Sequence, residues 1–274
     1  MRLRTSFIHP LAAICLALMP AAASAQQPVE AYKPQVGQHG KDVIWVPTPQ
    51  ALVDKMLDMA KVGPGDHVID LGSGDGRTVI TAAKRGAIAH GIEYNPEMVE
   101  LSKHNAVKAG VADKATFAKA DIFESDFSKA TVISLFLLPR LNLKLRPTIL
   151  RMAPGTRIVS NSFDMDDWRP DQTAYVTDGC TGYCKAYLWI VPEKVAGSWQ
   201  LGAGVLALEQ KFQVVTGTLT VGNVVAPLKD VNLKGDRIAF TAGATRYTGQ
   251  AKGGSMEGTS VSGGQETKWQ ATRK

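Results

Sequence analysis

The stretch Val68-Ile69-Asp70-Leu71-Gly72-Ser73-Gly74-Asp75-Gly76-Arg77 runs from an apolar strand pattern, through a loop with glycine at alternate positions, straight into a helical pattern. Glycine at that density lets a backbone turn tightly and leaves no Cβ between the chain and whatever lies against it. Residues 78–85 carry the helix, closed by Gly86, and residues 88–93 read as the next strand. Asn95-Pro96 then suits an N-cap followed by the first helical position, and that helix runs to Gly110. Residues 116–118 are a third strand and residues 131–137 a fourth, strongly apolar one. A helix over 143–152 stops at Pro154-Gly155, and residues 156–163 give a fifth strand. Strands alternating with helices at this spacing predict βαβ units, an α/β class, and a doubly wound, mostly parallel sheet.

Working outward, Thr48-Pro49 reads as an N-cap and first position of an earlier helix, with Leu52, Val53, Met56, Leu57 and Ala60 as its apolar stripe. Residues 174–177 and 185–191 form a hairpin pattern whose tip holds Cys180 and Cys184. Those two thiols can pair in an oxidising compartment, and their spacing makes a poor metal motif, so no metal is expected. Beyond Pro192 the pattern changes to Gly, Thr and Val with little helical periodicity. Leu206, Leu208, Phe212 and Val214 alternate, with Gln210 breaking the row; Ile238 and Phe240 alternate after the turn Gly235-Asp236. Trp199 opens this region and Trp269 closes it. The expectation is a small antiparallel barrel or sandwich over 195–274.

Arg2 and Arg4, the apolar stretch 11–19 and Ala23-Ser24-Ala25 have the order of an export signal over 1–25. Cleavage there would place the protein in the periplasm or envelope, whereas a start at Met19 would leave it cytosolic. Residues 26–42, with Pro28, Pro34, Gly37 and Gly40, read as a flexible lead-in to a domain spanning 43–194. The 274 residues are 45% hydrophobic and 20% charged with a net charge of +6, an ordinary globular balance without a dense basic run, so no nucleic-acid partner is expected.

The loop following Asp70 falls at the carboxyl edge of a parallel sheet, where open α/β sheets bind ligands. Acids follow the next strands as well. Glu93 is placed to accept from ribose hydroxyls and Asp121 from an adenine amino group. The glycine spacing is G-x-G-x-G rather than the dinucleotide G-x-G-x-x-G, and Asp75 lies inside the loop. Asp70 and Asp75 would repel a pyrophosphate and suit the amino group and sulfonium of S-adenosylmethionine.

With Val46-Pro47-Thr48-Pro49, Gly91-Ile92-Glu93-Tyr94-Asn95-Pro96, Phe136-Leu137-Leu138-Pro139 and residues 157–163, the chain resembles the seven-stranded class I methyltransferases with a Rossmann-like sheet. Within them it is most similar to the lysine methyltransferases of the adenine nucleotide translocase and the ATP synthase c-subunit. The resemblance covers residues 43–192 and leaves out the export signal and the C-terminal β region. It implies that Asp70 and Gly72, with Ser73 and Gly74 beside them, contact the methionine part of the cofactor. It further implies that Glu93 holds the ribose, Asp121 the adenine, Tyr94 or Ile122 the face of the base, and Thr48 the methionine end.

Methyl transfer is a direct displacement that requires the nucleophile to be aligned about 3–3.5 Å from the methyl carbon. After the fourth strand stands Leu135-Phe136-Leu137-Leu138-Pro139, not the polar Asn/Asp-Pro-Pro-aromatic motif of enzymes that methylate nucleic-acid amines. An apolar wall suits a lysine, whose pKa near 10.4 falls on desolvation. Phe136, Leu137, Pro139 and Asn161 are the substrate-side candidates; the catalytic base is unknown. The leading reading is a protein-lysine N-methyltransferase, with a membrane-associated substrate permitted. The alternatives are a methyltransferase for a small molecule or lipid of the envelope, and an exported, non-enzymatic binding protein that keeps the fold.

Overall fold

A computed structural model describes Met1, Leu3 and residues 32–274; the rest of the expected signal and the first part of the lead-in, residues 26–31, lie outside the described residues. The first helix, α1, spans Gln50–Met59. There follow β1 (His67–Leu71), α2 (Arg77–Lys84), β2 (Ile88–Glu93), α3 (Pro96–Lys108) and β3 (Ala115–Lys119). Next come β4 (Val132–Leu135), α4 (Pro139–Ile149), β5 (Arg157–Asn161), β6 (Gln172–Tyr175) and β7 (Lys185–Ile190). The sheet order is β3-β2-β1-β4-β5-β7-β6, parallel as far as β5 and antiparallel at β7 and β6.

Burial of the central strands on both faces explains their apolar runs: every residue of β4 is buried. One face packs Leu52, Val53, Met56 and Val79 from α1 and α2, and the other packs Leu141, Leu145 and Ile149 from α4. α3 begins where its cap motif placed it, since Asn95 Oδ1 accepts from the N–H groups of Glu97 and Met98 at 2.8 and 3.4 Å. At the opposite edge of the sheet, Arg157 on β5 hydrogen-bonds Asp66 and donates to Ala60 O at 2.6 Å, tying α1, β1 and β5 together.

Thr48 does not cap α1. Pro49 holds the N-cap position without a side-chain bond, and Thr48 is buried with Oγ1 accepting from Asn161 Nδ2 at 3.2 Å. A hydroxyl held by β5 is turned away from the helix amides. Nor does α4 wait until residue 143: Pro139, which has no N–H to leave unpaired, opens it directly after a shorter β4. The end of the expected lead-in is folded. Gly37 and Trp45 pair across a short hairpin (Gly37 N to Trp45 O and Trp45 N to Gln38 O, both 2.8 Å), with His39 bridging Ile44. This strap lies over the carboxyl edge of the sheet.

The remaining strands are β8 (Gly197–Leu201), β9 (Gly204–Lys211), β10 (Val214–Val221), β11 (Val224–Lys234), β12 (Arg237–Ala242), β13 (Thr245–Lys252), β14 (Ser255–Ser262) and β15 (Gln265–Arg273). They close into an antiparallel barrel, sealed where β15 pairs with β8. Trp199, Phe240, Met256 and Trp269 fill it. The alternating row expected to line it fails at its end. Phe212 stands in the β9–β10 turn with φ 56°, and Val214 is exposed. The left-handed turn sends the Phe212 ring out of the barrel onto Trp168, stacked at 5.8 Å, within the apolar core below the sheet. Lys211 pairs with Asp167 at 3.1 Å and Gln213 Nε2 donates to Arg169 O at 2.7 Å, so the turn is a plug set in the first domain.

Candidate cofactor and acceptor site

A cavity of about 560 Å³ follows the carboxyl ends of the parallel strands under the strap. Gly72, Gly74 and Gly76 all adopt positive φ (86°, 54° and 82°). A Cβ on Gly74 would come within 2.7 Å of Trp45 Nε1, and one on Gly76 within 2.8 Å of the Phe117 ring, so side chains are excluded twice over. The loop is tied down by Gly72 N and Ser73 N donating to Ile92 O at 2.8 and 3.1 Å, and by Ser102 Oγ donating to Gly74 O at 2.8 Å.

Asp70 lies on the cavity wall yet is only 6% exposed. Burial, with the neighbouring charges of Glu93 and Asp75, lifts its pKa to about 7 despite hydrogen bonds from Ser134 and Thr78. Glu93 Oε2 accepts from Gly74 N at 3.0 Å and Oε1 from Asn95 N at 2.9 Å, which holds the carboxylate against the cavity. Asp121 accepts from Phe123 N at 2.9 Å and pairs with Lys41 of the strap, whose ammonium holds the Asp121 carboxyl below its usual range. Lys41 also stands 5.0 Å from the Tyr94 ring centroid. Asp75 is not a free charge in the loop: Arg77 binds it through Nε and Nη2 at 2.9 and 2.5 Å and uses Nη1 on Thr48 O at 2.7 Å. With Arg77 spent on Asp75, the glycine loop offers no free cation to a phosphate, while the acids beside it offer acceptors to an amine and hydroxyls.

Ser73, Tyr94, Ile122 and Thr48 line the same cavity, as do Phe136 and Leu137. Pro139 and Asn161 do not. Pro139 is an exposed first helical residue, and Asn161 is fully buried behind Thr48 with Oδ1 unpartnered. Sequence reasoning missed Trp45 and Lys41, which reach the site from the strap. It also missed Phe163 and Tyr183 as lining residues. Phe136, Phe163 and Tyr183 touch one another with ring centroids 5.3–6.1 Å apart. Tyr183 arrives on the loop that the structure closes with a Cys180–Cys184 disulfide. Among the described residues no cluster of His, Cys, Asp and Glu forms a metal site.

Residues 70–172 match the model of the ANTKMT methyltransferase domain, ending before the barrel. A protein-lysine N-methyltransferase from Saccharolobus islandicus (strain REY15A) is 42% identical over 154 residues, covering 55% of this chain and 95% of the relative. The lysine N-methyltransferase of the ATP synthase c-subunit from Mus musculus is 34% identical over 130 residues, 47% of this chain and 52% of the mouse protein. The chain thus spans nearly all of the first relative and about half of the second. Among solved structures, an RNA methyltransferase from Salinibacter ruber in complex with S-adenosyl-L-homocysteine superposes with a TM-score of 0.52 at 46% identity. That match covers 55% of this chain and 96% of the other.

Proposed function

This chain belongs to the S-adenosylmethionine-dependent methyltransferase family of these relatives, and from that premise we propose that its methyl acceptor is the side-chain amine of a protein lysine. The observation that carries the proposal is the division of the cavity by the sheet order. Asp70 and Glu93 stand at the carboxyl ends of β1 and β2 and Asp121 follows β3, while Phe136 and Phe163 follow β4 and β5. The polar half fits the cofactor. Asp70 would accept from its amino group, Glu93 from ribose hydroxyls and Asp121 from the adenine amine, with Tyr94 and Ile122 against the base and Gly72 and Gly74 giving close backbone approach. When bound, S-adenosylmethionine supplies a methyl group on a positively charged sulfur.

The other half is lined by Ser134, Leu135, Phe136, Leu137, Phe163 and Tyr183, and among the described residues lining it none is basic. Such a wall sheds water from an entering alkylammonium and lowers its pKa, so the proton leaves to solvent before the nitrogen lone pair is used. Leu137 and Phe136 fix the line of approach by packing along the methylene stem. A wall without cations gives a nucleic-acid phosphate nothing to bind, which separates this reading from the RNA activity named for the Salinibacter protein. The C-terminal barrel, filled by its own side chains, is proposed as a separate domain over 195–274 that takes no part in the transfer.

The test is transfer of a radiolabelled methyl from S-adenosylmethionine to native protein, lipid and RNA fractions, followed by residue analysis. Label in methyl-lysine is expected. Label confined to RNA or lipid would overturn the lysine reading and leave the cofactor assignment standing.

A further inference from the structure

We propose that Tyr183, held in place by the Cys180–Cys184 disulfide, is the outer wall of the acceptor site and binds the alkylammonium side chain against Phe136 and Phe163; this rests on the lysine reading above. Tyr183 packs edge-on to Phe136 at 5.3 Å and tilted to Phe163 at 5.9 Å, while Phe163 stacks on Phe136 at 6.1 Å. The three rings therefore make one continuous aromatic surface running from the cavity wall to the protein exterior. Phe136 and Phe163 are fixed by the ends of β4 and β5. Tyr183 is 48% exposed and has no strand to hold it. Its φ of 56° lies in the left-handed region that a non-glycine residue avoids, so the loop needs an outside constraint to keep that backbone. The disulfide is that constraint, joining the residues on either side of Tyr183.

Aromatic faces attract alkylammonium groups through the ring quadrupole and shelter the methylene stem at the same time. The aromatic surface is on the acceptor half of the cavity: Phe136 and Phe163 follow β4 and β5, while Glu93 and Asp121 stand at β2 and after β3, on the far side of β1. Loss of Tyr183 therefore acts on the acceptor and leaves the cofactor alone. Reduction does the same: dithiothreitol gives two electrons and two protons to the S–S bond and closes to its own cyclic disulfide, leaving two thiols and an unclamped loop.

The experiment uses the full chain and the peptide acetyl-Leu-Ala-Lys-Ala-Leu-amide, with S-adenosylhomocysteine titrated separately by calorimetry. Tyr183→Ala and the double variant Cys180→Ser/Cys184→Ser are expected to raise the peptide KM by about tenfold, the size of one partly desolvated ammonium–ring contact, with kcat little changed. Tyr183→Phe restores the KM, and dithiothreitol reproduces the double variant in the wild-type chain. S-adenosylhomocysteine affinity stays within about twofold throughout. A KM for Tyr183→Ala within twofold of wild type overturns the inference, as does loss of S-adenosylhomocysteine binding in that variant. A wild-type chain that binds S-adenosylhomocysteine yet methylates no lysine peptide sinks the lysine reading and this inference together.

Discussion

Asp70→Asn should make the chain more stable while depriving it of its cofactor, and the gain should depend on pH. Asp70 is 6% exposed, and its pKa is lifted from 3.8 to about 7. Each tenfold change in a proton equilibrium is about 1.4 kcal/mol, so keeping this carboxylate ionised in the folded chain costs about 4 kcal/mol above pH 7. The folded pKa is raised, so the unfolded chain ionises first as pH climbs. Stability from this group then falls between pH 3.8 and about pH 7 and is flat above it. The part of that window lying above pH 5 amounts to about 3 kcal/mol. Denaturant unfolding of both chains at pH 5 and pH 8 gives the stability of variant minus wild type at each pH. That difference should be about 3 kcal/mol more favourable to Asp70→Asn at pH 8. In the proposed site, the cofactor's ammonium pairs with the ionised carboxylate. Wild-type affinity for S-adenosylhomocysteine should therefore fall about tenfold per pH unit below 7, and the variant's should be weak and flat. A variant-minus-wild-type difference unchanged from pH 5 to pH 8 would refute the reasoning, because it would mean that Asp70 carries no burial penalty.

Glu93→Ala removes the acceptor for Gly74 N and the proposed ribose contacts, and calorimetry should find S-adenosylhomocysteine binding weakened by about thirtyfold or more. An unchanged affinity would refute the ribose assignment. Gly91→Ala places a Cβ about 2.5 Å from Ser73 Oγ and 2.6 Å from the Phe117 ring, so thermal unfolding should show a loss of about 1–3 kcal/mol; full stability would show that the loop yields freely. Arg157→Ala leaves the half-buried Asp66 without its main partner, at about 2 kcal/mol near pH 7. Burial raises the Asp66 carboxyl, but bonds from Arg157, Thr131 and Gly63 hold it below its ordinary value, so the deficit should shrink as acid protonates Asp66. A deficit as large at pH 3 as at pH 7 would contradict this. Phe212→Ala uncovers Trp168 and should lower the unfolding midpoint with a loss of about 3 kcal/mol; an unaltered midpoint would show that the ring is not a plug.

The parallel sheet and its acids are legible because their signals are local. The run ending at Asp70, the glycines at 72, 74 and 76, and the Asn95-Pro96 cap each need only a few neighbouring residues to be understood. Thr48 misleads because its capping chemistry is genuine in isolation, and a partner 113 residues away claims the hydroxyl instead. Asp75 reads as a free charge because nothing in the loop says that Arg77 will fold back upon it. The strap, Tyr183 and Phe212 share a different difficulty. Each is an aromatic or cationic side chain in a segment rich in turn formers, and its value lies wholly in what it meets across the fold. For Phe212 the period of two predicts the barrel interior, and one left-handed residue reverses the direction of the ring.

The Phe212 plug also bears on how the polypeptide is made. A growing chain emerges N-terminal end first, and domains fold as units as they appear. The sheet domain is complete in sequence at Ile190, yet the ring that covers Trp168 stands at position 212, in the turn after β9. Until that turn is synthesised, the finished sheet presents an uncovered indole to whatever is nearby. The newborn protein therefore passes through an interval in which its sheet domain is built and adhesive, and that interval ends when β15 pairs with β8 and the completed barrel presents the turn.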